Sequence, residues 1–267
     1  MRRINTSEKE NFQSTVLDWY ALNKRDLPWR ETKDPYEILV SEIMLQQTQV
    51  DRVIPYFHRF LKKFPDFASL ASGDKATVLS LWSGLGYNNR VLRLQKLSSV
   101  VVEKYKGDLP CDEEVLLSLP GIGPYTAHAV MAFAFNEEVP VLDTNIRRVL
   151  IYHFDLDEET GVDALRDLAF SLVPLGKSCE WHNALMDYGA MVLTARKTGI
   201  ESLSKQPKFE GSTRQVRGGM VKYLLQEKKS SIGKLRELFA HEKFDSILLK
   251  MQKEGLVIVE NDVVKIS

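Results

Sequence analysis

The stretch SLPGIGPYTAHAV, residues 118–130, places two prolines and two glycines between segments of helical periodicity. Residues 115–119 read as the end of one helix, which Pro120 stops. Gly121 and Gly123 permit positive φ, and Pro124 suits the first turn of the next helix. The product is a pair of helices joined by a glycine hairpin. Its backbone N–H groups stand at a helix N-terminus with no side chain over them, an arrangement that favours a phosphate. The same pattern alone serves equally as a tight connection with no ligand, so the rest of the chain has to decide.

Working outward, apolar residues recur at three and four in 12–22, 36–45, 53–60, 91–101, 129–135, 146–154 and 184–193, predicting helices. Strand-like alternation is scarce until 256–266, which reads as a hairpin turning at Asn261-Asp262. Between Lys197 and Arg214 the chain turns polar and reads as a linker. A helical body followed by a small α+β appendage is the economical organisation. The 36 basic residues balance 36 acidic ones, so any surface for a polyanion must be local. Cys111 and Cys179 are the only cysteines and lie far apart, which supports neither a disulfide framework nor a cysteine metal site. No signal peptide and no long apolar run is present, so the expectation is a soluble cytoplasmic protein.

Two acids stand out. In SEIMLQQTQV, 41–50, Glu42 shares a helical stripe with Ile38, Leu39 and Leu45. Desolvation there raises a carboxyl pKa and can keep it protonated near neutrality. A buried structural acid paired with an arginine is the competing reading. In PVLDTNIRRV, 140–149, Asp143 precedes an amphipathic helix, and its commonest meaning is an N-cap that helix N–H groups hold ionised. Together, one acid in an apolar setting and one ionised acid are the pair that cleavage of a glycosidic bond requires.

RDLPWR (25–30), SEIMLQQTQV, LWSGLGY (81–87), LPGIGPYTAHAV and VLDTNIRRVL occur in the order and spacing of the helix-hairpin-helix DNA glycosylases. The chain resembles most their adenine DNA glycosylase (MutY-like) branch. The resemblance implies a mainly α, two-lobed helix-hairpin-helix glycosylase fold, with lobes at 1–29 plus 137–198 and at 30–136. It implies double-stranded DNA with a mismatched or damaged pair as partner, a target base flipped out of the duplex, and a monomer on the nucleoid. By resemblance, Glu42 protonates the purine N7, Asp143 stabilises the sugar cation, Tyr87 supports that step and Asn145 positions water. Arg25, Leu27, Trp29 and Arg30 match the base pocket, with Asn183 where a residue contacts adenine. Leu45, Gln47 and Thr48 match the residues that wedge into the base stack. The hairpin, Gly121, Ile122, Gly123, Tyr125 and Thr126, matches the DNA-backbone clamp, which in the family can hold a monovalent cation. Tyr125 stands where glycosylase/lyase relatives carry a Schiff-base lysine, so a monofunctional glycosylase is implied.

The chain departs from that pattern in four places. Where the family's iron–sulfur loop carries four cysteines, this register falls on Leu193, Ile200, Leu203 and Phe209. No iron–sulfur cluster is therefore expected, and a small hydrophobic cluster is expected instead, each buried side chain contributing about 1.5–3 kcal/mol. Asn88 replaces a second tyrosine and Thr144 a glycine. Asn183 replaces a glutamate or glutamine at the adenine. No counterpart of the Nudix-like domain that reads 8-oxoguanine is expected. In its place, after a linker at 199–213, residues 214–267 outline three helices and a β-wing, a winged-helix-like domain with 11 Lys/Arg against 7 Asp/Glu, a net of +4. Alternatives are a thymine/uracil mismatch or hypoxanthine glycosylase, left open by Asn88, Tyr125 and Asn183, and a non-catalytic helix-hairpin-helix DNA-binding protein. Retention of Glu42, Tyr87, Asp143 and Asn145 together argues against the last, because a scaffold needs no paired acids.

Overall fold

A computed structural model describes residues 4–203 and 207–267. In chain order its body helices are α1 (Thr6–Asn23), α2 (Pro35–Leu45), α3 (Val50–Lys63), α4 (Phe67–Ser72), α5 (Lys75–Trp82) and α6 (Asn89–Tyr105). They continue with α7 (Glu113–Ser118), α8 (Pro124–Ala134), α9 (Thr144–His153), α10 (Val162–Ser171), α11 (Ser178–Met191) and α12 (Ala195–Thr198). The described chain divides into two compact units. The first holds 4–39, 110–118 and 122–203, and the second holds 40–109, 119–121 and 207–267. Every expected body helix is present. The periodicity did not pick out α4, α5 or α10, because helices of 6, 8 and 10 residues offer few repeats of an apolar stripe.

In the first unit α1 starts with a capping box, the Asn5 side chain accepting from the Glu8 N–H at 2.9 Å. Its buried face carries Phe12, Val16 and Tyr20. The Phe12 ring meets Trp181 of α11 edge-on at 5.5 Å and Phe154, which ends α9, at 5.1 Å. Helices α9 and α11 approach closely because position 189 is glycine. A Cβ there would lie 2.9 Å from both the Cβ and the carbonyl oxygen of Asn145.

In the second unit the buried stripe Val53, Phe57 and Phe60 of α3 packs the core, with Phe60 edge-on to the fully buried Trp82 at 5.9 Å. Gln95 of α6 is buried and donates to the Leu70 and Gly73 carbonyls at the end of α4, where Leu70 also accepts from the Gly73 N–H. The appendage belongs to this unit. It runs α13 (Thr213–Glu227), β1 (Lys229–Ser231), α14 (Ile232–Leu238), α15 (Phe244–Lys253), β2 (Val257–Glu260) and β3 (Val263–Ile266). The antiparallel sheet has the order β1-β3-β2, which makes the appendage a winged helix. Asn261 and Asp262 turn the hairpin with φ of 47° and 65°, the left-handed pair of a type I′ turn. Strand β1 is too short to show alternation in the sequence and exists because β3 supplies its partner.

The appendage packs on the helices before it through polar contacts. Lys75 of α5 donates to Ser267 Oγ at 2.9 Å, and Arg217 of α13 bridges Asn89 Oδ1 at 2.9 Å and Glu254 Oε2 at 2.5 Å. The apolar cluster expected at 193, 200, 203 and 209 forms only in part. Leu193 and Ile200 are buried in the core of the first unit, but Leu203 is 73% and Phe209 is 59% exposed. Phe209 lies in the second unit, where its ring faces the Arg214 guanidinium at 6.0 Å.

Candidate functional site

At the hairpin, Gly121 takes φ of +88°, and a Cβ there would lie 3.0 Å from the Arg93 Cβ. Gly123 differs from expectation. Its φ is −111°, an extended N-cap to α8 that any residue could adopt, and nothing stands within 4 Å of where its Cβ would be. What glycine provides at 123 is open space over the first N–H groups of α8, with Pro124 in the first turn and no side-chain cap. Ile122 and Thr126 are buried, and Tyr125 is half-buried.

Glu42 lies in α2 with 6% of its surface exposed, on a stretch of the helix whose Ile38, Leu39 and Ile43 are also buried. After α2 the chain bends sharply. Gln47 has φ of 59° and is exposed, while Leu45 and Thr48 are half-buried beside it. Tyr87 sits in a second left-handed bend, with φ of 48° and 41% exposure. One residue fixes both bends. Arg90, at the start of α6, donates through Nη1 to the carbonyls of Ile43 (2.8 Å), Met44 (3.1 Å) and Gln46, and through Nη2 to those of Leu85 and Gly86 (both 3.2 Å) and to Thr48 Oγ1 (3.3 Å). It therefore caps the C-terminus of α2 and anchors the Tyr87 loop. Burial lowers its pKa to about 10, which leaves it charged at neutral pH. The Trp82 indole N–H also donates to the Gly86 carbonyl at 3.1 Å, so this tryptophan is core and loop anchor together.

Asp143 is the N-cap of α9, its Oδ1 accepting from the Ile146 N–H at 2.7 Å and its Oδ2 from the Asn145 amide at 2.9 Å. Asn145 Oδ1 in turn accepts from Arg148 at 3.2 Å. Asp143 was expected to be held ionised. Instead burial pushes its pKa up, outweighing the bonds from Ile146 and Asn145 and the Arg148 charge, all of which lower it. A carboxylate short of solvation gains most from a developing positive charge.

Arg25 and Arg30 converge on Asp187 of α11, which the sequence reading had not singled out. Arg25 Nε lies 2.6 Å from Asp187 Oδ1, and Arg30 reaches both oxygens at 2.8 Å. The Asp187 side chain is fully buried. Burial alone would raise its pKa, but the bonds from Arg30 and Arg25 prevail and hold it below the usual carboxylate range. An acid beside Ala184 and Leu185 on a helix was the available signal. Leu27 and Trp29 are buried in the same segment. Asn183 is buried and donates to the Cys179 carbonyl at 3.0 Å. The unit of Asp143 thus also holds Asn145, the 25–30 segment, Asn183, Ile122, Gly123, Tyr125 and Thr126, whereas Glu42, Leu45, Gln47, Thr48, Tyr87 and Gly121 belong to the other. Among the described residues no group of three or more His, Cys, Asp or Glu side chains could hold a metal ion.

A family profile described as "HhH-GPD superfamily base excision DNA repair protein" matches residues 40–173. An adenine DNA glycosylase from Buchnera aphidicola subsp. Baizongia pistaciae is 31% identical over 92% of this chain and 78% of its own length. Another, from Mycolicibacterium smegmatis, is 38% identical over 78% of each. The chain belongs to the HhH-GPD superfamily, in its adenine DNA glycosylase branch. Among solved structures, a thermostable thymine-DNA glycosylase is similar with a TM-score of 0.67 and 33% identity, covering 72% of this chain and 90% of that one. A non-covalent endonuclease III–DNA complex, at TM-score 0.64 and 19% identity, shares the fold. The hairpin, the α2 bend and the α9 cap described above all lie within the matched superfamily region.

Proposed function

We propose that the chain is a monofunctional base excision repair enzyme that hydrolyses the N-glycosidic bond of adenine paired with 8-oxoguanine or guanine, leaving an abasic site. Asp143 carries the reading. It is a desolvated N-cap carboxyl with a fixed neighbouring amide, and it stands in a chain whose curated relatives are named adenine DNA glycosylases. Glu42 delivers a proton to the purine N7, the bond from the sugar carbon to the base nitrogen breaks, and Asp143 stabilises the resulting cation. Water positioned by Asn145 then adds to the sugar carbon and loses a proton to the Glu42 carboxylate, which restores the acid. Tyr125 in place of a lysine means that no Schiff base forms, so strands stay intact until alkali is added. Leu193, Ile200, Leu203 and Phe209 offer no iron ligand, so the enzyme works without an iron–sulfur cluster. It acts as a soluble monomer on chromosomal DNA. No helix among the described residues is long and apolar enough to cross a membrane.

The test is release from duplexes carrying A:8-oxoG, A:G, T:G, U:G and hypoxanthine:T, followed by alkaline cleavage. Adenine duplexes are expected to be cut, and cleavage confined to T:G would overturn the assignment. T:G is the second reading, because the thymine-DNA glycosylase is 33% identical and Asn183 spends an amide proton on the Cys179 carbonyl.

A further inference from the structure

The second unit contains a groove of about 1200 Å³ between residues 83–93 and the winged helix. Arg52, Arg90 and Arg93 line it from the body, and Arg214, Arg217, Lys222 and Lys250 line it from α13 and α15. Glu254 is the one acid in its lining, and Arg217 already bonds it. Seven cations against one acid leave a net of +6 in a chain whose total charge is zero. That segregation needs a reason, because unopposed like charges repel across a concave surface. Arg52 and Arg90 are partly engaged by backbone carbonyls. Arg93 and Lys222 are exposed and have no ion-pair partner among the described residues, and Lys250 is exposed with Glu254 nearby, whose pKa its charge helps to lower. The groove also presents aromatic faces. Tyr87 and Phe209 are both exposed, and the Arg214 guanidinium stands between them, 5.6 Å from one ring centroid and 6.0 Å from the other, while bonding the Tyr87 hydroxyl at 2.6 Å.

We infer that this groove binds a DNA strand, its phosphates held by Arg93, Lys222 and Lys250 and its bases stacking on the Tyr87–Arg214–Phe209 surface. Cations that track a backbone, interleaved with aromatic platforms, are the requirements of strand binding without sequence readout. An acidic protein would use the charges but leave the rings without a role. The inference rests on the proposed glycosylase function for the identity of the polyanion. It also gives the winged helix a role, that of completing a DNA surface that the Tyr87 loop begins.

The test measures binding of a short labelled duplex, and of its single strand, to the full chain. Wild type is compared with Lys222→Gln/Lys250→Gln and with Lys62→Gln/Lys104→Gln, a pair of exposed lysines outside the groove. Loss of two phosphate contacts flattens the salt dependence, so the fall in affinity between about 50 and 200 mM salt should be about tenfold smaller for the groove pair. The control pair should match wild type. Phe209→Ala should weaken the single strand about tenfold. Unchanged salt dependence in the groove pair, or equal flattening in the control, overturns the site, and unchanged single-strand affinity of Phe209→Ala overturns the stacking. Labelled polyglutamate bound as tightly as DNA, and weakened by the same pair, would make the groove an acidic-protein surface instead. Release of adenine by wild type is scored in parallel. Groove binding without base release keeps this inference and removes the glycosylase reading, and base release with no groove effect does the reverse.

Discussion

Replacing Asp143 with Asn keeps an N-cap of equal quality on α9, because the two side chains rank together at that position. The substitution also removes a carboxyl whose pKa burial has raised. The sign follows from linkage. A group that binds its proton more tightly in the folded state weakens the fold as pH rises through its folded pKa, and Asn resembles the protonated form. Asp143→Asn is therefore expected to melt at the same temperature as wild type or higher at pH 7, while base release falls by at least about a hundredfold. Glu42→Gln should lose release to a similar extent with duplex affinity nearly intact. Single-turnover kinetics beside thermal melts separate the two effects, and near-normal release by Asp143→Asn would reduce the residue to a helix cap. Both acids were legible in the sequence, since an acid on an apolar stripe and an acid before a helix are local patterns. Asp187 was not assigned, because the arginines that define its role lie 157 and 162 positions away.

Elements in this protein are held in place by single residues at their junctions. Arg90 joins the end of α2 to the Tyr87 loop, and Arg90→Met would remove a donor from the carbonyls of Ile43, Met44, Gln46 and Leu85, while that of Gly86 keeps the Trp82 indole N–H. Unsatisfied buried carbonyls cost about 1–3 kcal/mol each, and water access softens the sum, so a loss of about 3 kcal/mol is expected in urea unfolding. Base release should fall further than stability explains, because the Gln47 and Tyr87 bends lose their common anchor. A second junction is Gly189. Gly189→Ala forces α11 away from Asn145 and should cost about 1–3 kcal/mol by overpacking, together with a shift of the Asn145 amide resonances. The chemistry of neither junction was visible beforehand. Arg90 reads as an ordinary basic residue at a helix start, and a glycine within a helix signals close packing without naming the neighbour.

The molecule as a whole should respond to acid in two steps. His182 is fully buried, its Nδ1 donating to the Ser178 carbonyl at 2.8 Å and its Nε2 accepting from the Val141 N–H at 3.3 Å. Desolvation lowers its pKa to about 4. An unfolded histidine takes its proton near pH 6.5, so the unfolded state binds more protons over the interval between these values, and stability falls as pH drops from about 6.5 to 4. The loss attributable to His182 is about 3 kcal/mol, and His182→Gln should flatten that segment of a urea-stability profile. Below about pH 4 the depressed Asp187 gives a second loss, because its stabilisation is present above the unfolded carboxylate pKa and disappears as pH falls through the folded one. Purified protein should also be colourless, contain no iron and keep its activity in chelators. Absorbance near about 400 nm would show that the register across 193–209 has been misread.

The sequence by itself determined the helical body, the glycine hairpin, the hairpin wing at Asn261-Asp262 and the two acids, because each is written in contiguous residues through periodicity, turn chemistry or capping. It determined the lack of cluster cysteines in the same way. Only tertiary structure decided that Gly123 is extended, that Leu203 and Phe209 leave the expected apolar cluster, and that burial outweighs helix N–H groups at Asp143. It also decided that the winged helix packs against residues 83–93 and gathers seven cations into one groove. These outcomes depend on which distant side chains exclude water or meet across space, and no local pattern encodes that.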